Sequence, residues 1–123
     1  MVSTKFDLRY NSNIGFAGDQ GGRGFQHPSD LAIRPSDERI FVASRSFLMP
    51  IVAGGLSDTT GVEMVSKDFE FFGKISSAGT SEGHLTAPSA LAFDSEENLY
   101  VADEYLNTVS VFDPEGVFLR SWG

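Results

Sequence analysis

The chain has 123 residues, no cysteine, and 17 acidic against 9 basic side chains, for a formal charge of −8. Thiol redox chemistry, disulfide scaffolds and cysteine zinc sites are excluded, and the acid excess opposes docking on nucleic acid or on an anionic membrane. Apolar residues at 41% with eleven Phe argue for a packed fold rather than disorder.

Residues 1–10, MVSTKFDLRY, lack the apolar core of a signal peptide, and no later run approaches the roughly 18 apolar residues of a membrane helix, so a soluble chain is predicted. Phe6, Leu8 and Tyr10 alternate with polar neighbours, which predicts a strand over 5–10. Gly18, Gly21, Gly22 and Gly24 form a linker without the spacing of a dinucleotide-binding fingerprint. Strands are then predicted over 31–34 and 40–43, near 63–67 and near 71–76. Between the second and third lies an insertion at 47–61, rich in Gly and Asp and bounded by Pro50; loops of such length are functional or disordered.

Gly79-Thr80-Ser81-Glu82-Gly83 satisfies the G-x-S-x-G pattern of a nucleophile elbow. That elbow needs a strand before it and a helix after it, whereas Ala87-Pro88 and another strand follow here, so the segment reads as linker. His84, with no acidic partner at ligand spacing, is expected in solvent. Four more strands are predicted over 90–94, 99–103, 108–112 and 117–122. The second of these is near-continuously apolar, as a strand covered on both faces would be. Asp113-Pro114-Glu115-Gly116 places Pro second and Gly fourth in a turn, predicting a hairpin between the last two strands.

The two sets of strands are copies of one unit. His27-Pro28-Ser29-Asp30-Leu31-Ala32-Ile33 recurs sixty positions later as Ala87-Pro88-Ser89-Ala90-Leu91-Ala92-Phe93. Ile40-Phe41-Val42-Ala43-Ser44 is answered by Leu99-Tyr100-Val101-Ala102-Asp103, fifty-nine positions on, so the first copy carries one extra turn residue. No stretch sustains a 3.6-residue period, and an all-β fold follows.

The second copy has a proline opening its first strand, a Tyr-Val-Ala-Asp second strand, a following Asn and a Val-Phe-Asp-x-x-Gly-x-Phe-Leu ending. Its residues Pro88, Ala92, Asp94, Asn98, Tyr100, Val101, Ala102, Asp103, Asn107, Val111, Phe112, Asp113, Gly116, Phe118, Leu119 and Gly123 resemble the NHL-repeat β-propellers. The first copy is similar at Pro28, Ala32, Val42 and Ala43, with Ser44 in place of the Asp. The resemblance implies four-stranded antiparallel blades set radially around a channel, usually six. One blade would span 23–79 with the insertion, one 80–123, and 5–10 would be the outer strand of a preceding blade. Two such units do not close a ring, so further blades of the same chain, or self-association, are implied.

On that fold Gln26, His27, Asp30, Arg45, Phe47 with its insertion, Glu104 and Tyr105 fall on loops at one rim. Arg and Tyr dominate protein contacts, and a scaffold that binds a protein or small-molecule ligand through those loops is the expected function. The alternative is part of a metal-dependent lyase or hydrolase, similar to the amidating lyases or gluconolactonases, whose site other blades would complete. His27 and Asp30 are the metal candidates, against a plain loop residue and a turn residue. No cofactor is expected of this segment, although a complete propeller of this kind can hold calcium or zinc. RNA-binding relatives use a basic rim, and the charge here has the wrong sign. Asp94, Asn98, Asp103, Asn107, Asp113 and Gly116 are expected to be structural, serving backbone groups at turns.

Overall fold

A computed structural model describes residues 7–14, 24–45, 60–68 and 70–123. Among them there is no helix, and eight strands form two antiparallel sheets. The first sheet runs β1 (Pro28–Ile33), β2 (Ile40–Ser44), β3 (Gly61–Val65) and β4 (Phe71–Ile75) in sequence order. The second repeats that order with β5 (Pro88–Phe93), β6 (Leu99–Asp103), β7 (Thr108–Phe112) and β8 (Phe118–Trp122). The sheets stack face to face as adjacent propeller blades do, with β1 beside β5.

Several strand ends differ from the sequence reading. β1 and β5 begin at Pro28 and Pro88, because a proline at the first strand position forgoes no ladder bond; each is followed by a bulge, Pro28/Asp30 and Pro88/Ala90. β3 stops at Val65 because the Ser66 hydroxyl accepts from the amides of Asp68 and Glu70, both at 3.1 Å, and turns the chain. The strand expected at 5–10 is not formed over its described part. Residues 7–10 join no ladder, and Leu8 and Tyr10 are 88% and 80% exposed: alternation makes a strand only where an edge is offered. The insertion at 47–61, apart from Thr60 and Gly61, lies outside the described residues.

The period of two decides what lies between the sheets. Phe41, Ala43 and Val62 of the first sheet meet Leu91, Leu99, Val101 and Phe112 of the second, all buried. Phe41 meets Phe93 edge to face with ring centroids 4.9 Å apart, an arrangement that adds about 1 kcal/mol beyond the area it buries. In β6 the residues alternate between buried and half-buried, so the strand is covered fully on one face; β2, buried from Phe41 to Ser44, is the better match to a doubly covered strand.

Polar links join the sheets as well. The Ser29 hydroxyl donates to the Pro88 carbonyl at 2.6 Å, and the Leu91 amide donates to Asp30 Oδ2 at 2.8 Å. At the far end Arg34, 8% exposed, forks onto Asp37 (Nη2 to Oδ2 2.6 Å, Nε to Oδ1 3.0 Å) and donates through Nη1 to the Pro114 carbonyl at 2.9 Å. Its guanidinium also lies 5.0 Å from the centre of the Phe41 ring. The fork holds the Asp37 carboxyl below its ordinary value and raises the arginine further.

Candidate functional site

Antiparallel order brings the starts of β1, β3, β5 and β7 and the ends of β2, β4 and β6 to one rim. The loops there are held by one carboxylate. Asp103, 3% exposed, accepts through Oδ2 from the amides of Thr86 at 2.7 Å and Ala87 at 3.0 Å. Through Oδ1 it accepts from Tyr105 at 3.1 Å and Leu106 at 3.0 Å. The expected turn role is present, and a second one is added: the same side chain ties the turn after β6 to the loop entering β5. Ser44, its counterpart in the first copy, is too short for this reach. Its buried hydroxyl and that of Thr60 make no hydrogen bond among the described residues.

The other turn residues also act on the backbone. Asp94 accepts from the amides of Glu96 and Asn98, both at 2.9 Å, from Asn98 Nδ2 at 3.0 Å and from the Tyr100 hydroxyl at 3.3 Å. The Asn98 side chain is the main reason its carboxyl sits below the ordinary value. Asp113 accepts from Glu115 and Val117, both at 2.9 Å, while Gly116 at φ 83 closes that hairpin. Asn107 takes φ 55, a left-handed position that Asn tolerates better than most residues. Asp94, Asn98, Asp113 and Gly116 lie at the end of the sheet opposite Asp103 and cannot join its rim.

Of the expected rim residues, the structure brings Arg45 and Glu104 together as an ion pair that spans the two sheets. The Glu104 amide donates to the Ala87 carbonyl and the Arg45 amide to the Gln26 carbonyl, so both ends of the pair stand on anchored backbone. His27 is exposed at φ 48, and Gln26 and Tyr105 are half-buried. Asp30 is not a loop residue: it lies inside β1, with Oδ1 accepting from its neighbour Leu31 and Oδ2 from Leu91 across the sheets. Facing the second sheet is what turns it from rim to interface. Phe47 lies outside the described residues. Among the described residues no three His, Asp or Glu side chains cluster closely enough to hold a metal ion.

Beside this rim is a cleft of about 210 Å³, lined by the Thr80–His84 segment, Leu106, Thr108, Ser110 and Ser121. The linker reaches it by a pinned path. Leu85 is fully buried, the amides of Gly79 and Leu85 bond to Leu85 and Ser77, and the hydroxyls of Ser76 and Thr86 donate to Gly83 and Gly79. His84 is therefore packed rather than solvated: its ring lies so close over Gly79 that any Cβ there would fall 2.9 Å from it, and its Nδ1 is enclosed. The G-x-S-x-G segment is a wall of the cleft and leads into β5, not into a helix. Of the cleft's hydroxyls, those of Thr108 and Ser110 are marked in the sequence, as small polar residues on one face of an otherwise apolar strand.

No known protein-family model matches this chain, and a comparison with curated proteins gives no significant match.

Proposed function

We propose that the chain is a stretch of NHL-type β-propeller that serves as a protein-binding scaffold, using the loops at the Asp103 rim. The observation that supports this reading is the contrast within the rim. Its backbone is pinned by Asp103 and by the bonds of the linker, while Arg45, Glu104, Tyr105 and His27 stand on it at least partly open to solvent. Rigid strands carrying polar and aromatic loop residues present a surface whose ordering cost is already met before a partner arrives.

The cleft favours a protein partner over a free small molecule. At about 210 Å³ it is smaller than the roughly 300–1,000 Å³ of most ligand pockets, and its size suits one inserted side chain of a partner. The acidic balance of the chain favours a partner with a basic face. The test is capture of partners from extract by the immobilised chain and by three variants. Tyr105→Ala and Ser121→Phe, the second filling the cleft from β8, are expected to lose the captured protein while melting as the parent does. Glu115→Ala at the opposite rim is expected to retain it. Capture that is indifferent to both rim variants refutes the assignment.

A further inference from the structure

We infer that the cleft beside the Asp103 rim receives a lysine side chain of the partner, its ammonium held by Glu82, Ser110 and Ser121. The inference rests on the reading that a partner's side chain enters this cleft, and it specifies which one.

The two copies of the repeat differ at this place. Ladder register matches Ser110 to Glu63 and Ser121 to Lys74: Ser110 lies between Val101 and Ser121 as Glu63 lies between Val42 and Lys74. Thr108 likewise matches Gly61. The first copy thus sets an acid and an amine of its own opposite each other, a cross-strand arrangement that suits opposite charges, and Glu63 is 1% exposed. The second copy carries two short hydroxyls at those positions, and a cleft of about 210 Å³ opens over them. A cavity of roughly 150 Å³ already takes a benzene-sized guest.

The lining selects the charge of the occupant. Glu82 supplies its one carboxylate, and no Lys or Arg is part of it, so an anion would be repelled and a cation drawn in. Ser110 is 3% exposed, yet its hydroxyl makes no hydrogen bond among the described residues, and neither do those of Thr108 and Ser121. A buried hydroxyl without a partner costs stability, and a donor arriving from outside relieves that cost.

The placing of the acceptors selects lysine over arginine. They are single oxygens on β7, on β8 and on the linker. An ammonium, a compact charge with three rotatable donors, can serve separate oxygens, whereas a guanidinium needs a planar pair of acceptors to use its fork. Leu106 offers apolar surface along which the methylene stem can lie. The wall is set beforehand: the Gly79 and Gly83 carbonyls hold the Thr86 and Ser76 hydroxyls, and the His84 amide donates to the Ser81 carbonyl. Little ordering is left for the guest to impose.

The test is titration of the 123-residue chain with n-butylammonium chloride, which reproduces the charged end of a lysine, followed by amide NMR at constant ionic strength. Saturable shifts centred on Glu82, His84, Ser110 and Ser121 are expected, half-complete on the order of 1 mM. n-Butanol and butyrate at the same concentrations should shift none of these amides. Glu82→Gln should weaken binding by about fivefold. Ser121→Lys, which restores the residue of the first copy, should abolish it while melting no lower than the parent. Absence of shifts overturns the proposal, as do shifts that butanol or butyrate reproduces, or variants that bind as the parent does. The titration needs no partner, so it fails separately from the capture experiment. Capture that Tyr105→Ala abolishes but Glu82→Gln leaves intact overturns the lysine and spares the scaffold reading; ammonium binding in the cleft without rim-dependent capture supports the site and overturns the scaffold reading.

Discussion

Replacing Asp103 by alanine removes one side chain and orphans four amides. Two of them, from Thr86 and Ala87, belong to the loop that enters β5 beneath the linker, and Thr86 is 1% exposed. Hydrogen bonds to a charged group contribute roughly 1.5–3 kcal/mol each, and the Thr86 donor, whose bond is buried, gains no water in exchange, while the Ala87 bond is part-buried. The amides of Tyr105 and Leu106 sit in a half-buried turn and can rehydrate, so they add little. Asp103→Ala should therefore cost about 3–5 kcal/mol, a fall in melting temperature of roughly 10–20 °C for a chain of this size. Asp103→Asn keeps one acceptor but turns an amino group toward the other pair of amides, and should fall between the parent and the alanine variant. Urea and thermal unfolding followed by far-ultraviolet circular dichroism, at one protein concentration for all three chains, measure the difference. An alanine variant that melts with the parent refutes the anchoring role. An unchanged melt with lost partner capture would make Asp103 a binding residue instead.

Two other outcomes are expected. The Arg34 fork and the Asn98 side chain hold Asp37 and Asp94 below the ordinary 3.8, so each favours the folded state while ionised; that stability is complete above the unfolded value and is lost as pH falls through the lower folded values. Urea midpoints should hence drop below about pH 4, and Asp37→Asn should flatten part of that acid limb. Gly79→Ala should destabilise by about 1–3 kcal/mol, because the new Cβ falls 2.9 Å from the His84 ring; adding His84→Ala should recover much of the loss in a double-mutant cycle of unfolding energies.

The two copies differ at the rim. At the rim the second copy spends an acid, Asp103, on rigidity, while the first has Ser44 and carries the long insertion directly after it. The Arg45–Glu104 pair joins the two sides, and at 39% and 55% side-chain exposure it adds at most about 1 kcal/mol to stability.

What the sequence by itself determined was local: the alternation of apolar residues, the Pro-Glu-Gly hairpin at 114–116, the Asp-rich turns and the repeat of sixty residues. The alternation and the turns depend on backbone preference within a few neighbours, which one strand or turn is enough to express, and the repeat is read by comparing the chain with itself. Tertiary contacts decided the rest. Stacking of the sheets turned Asp30 from a loop residue into a bond to Leu91 and buried Arg34 against Pro114, while the path of the linker into β5 packed His84 over Gly79 and gave Asp103 a second pair of amides seventeen and sixteen residues earlier in the chain. Apart from Gly79 and His84, those partners are 16 to 80 residues apart and near only in space, so no local pattern records them. Over the described residues 7–10 the predicted strand is not formed, for the same reason: alternation is a property of the segment, but pairing is a property of what lies beside it.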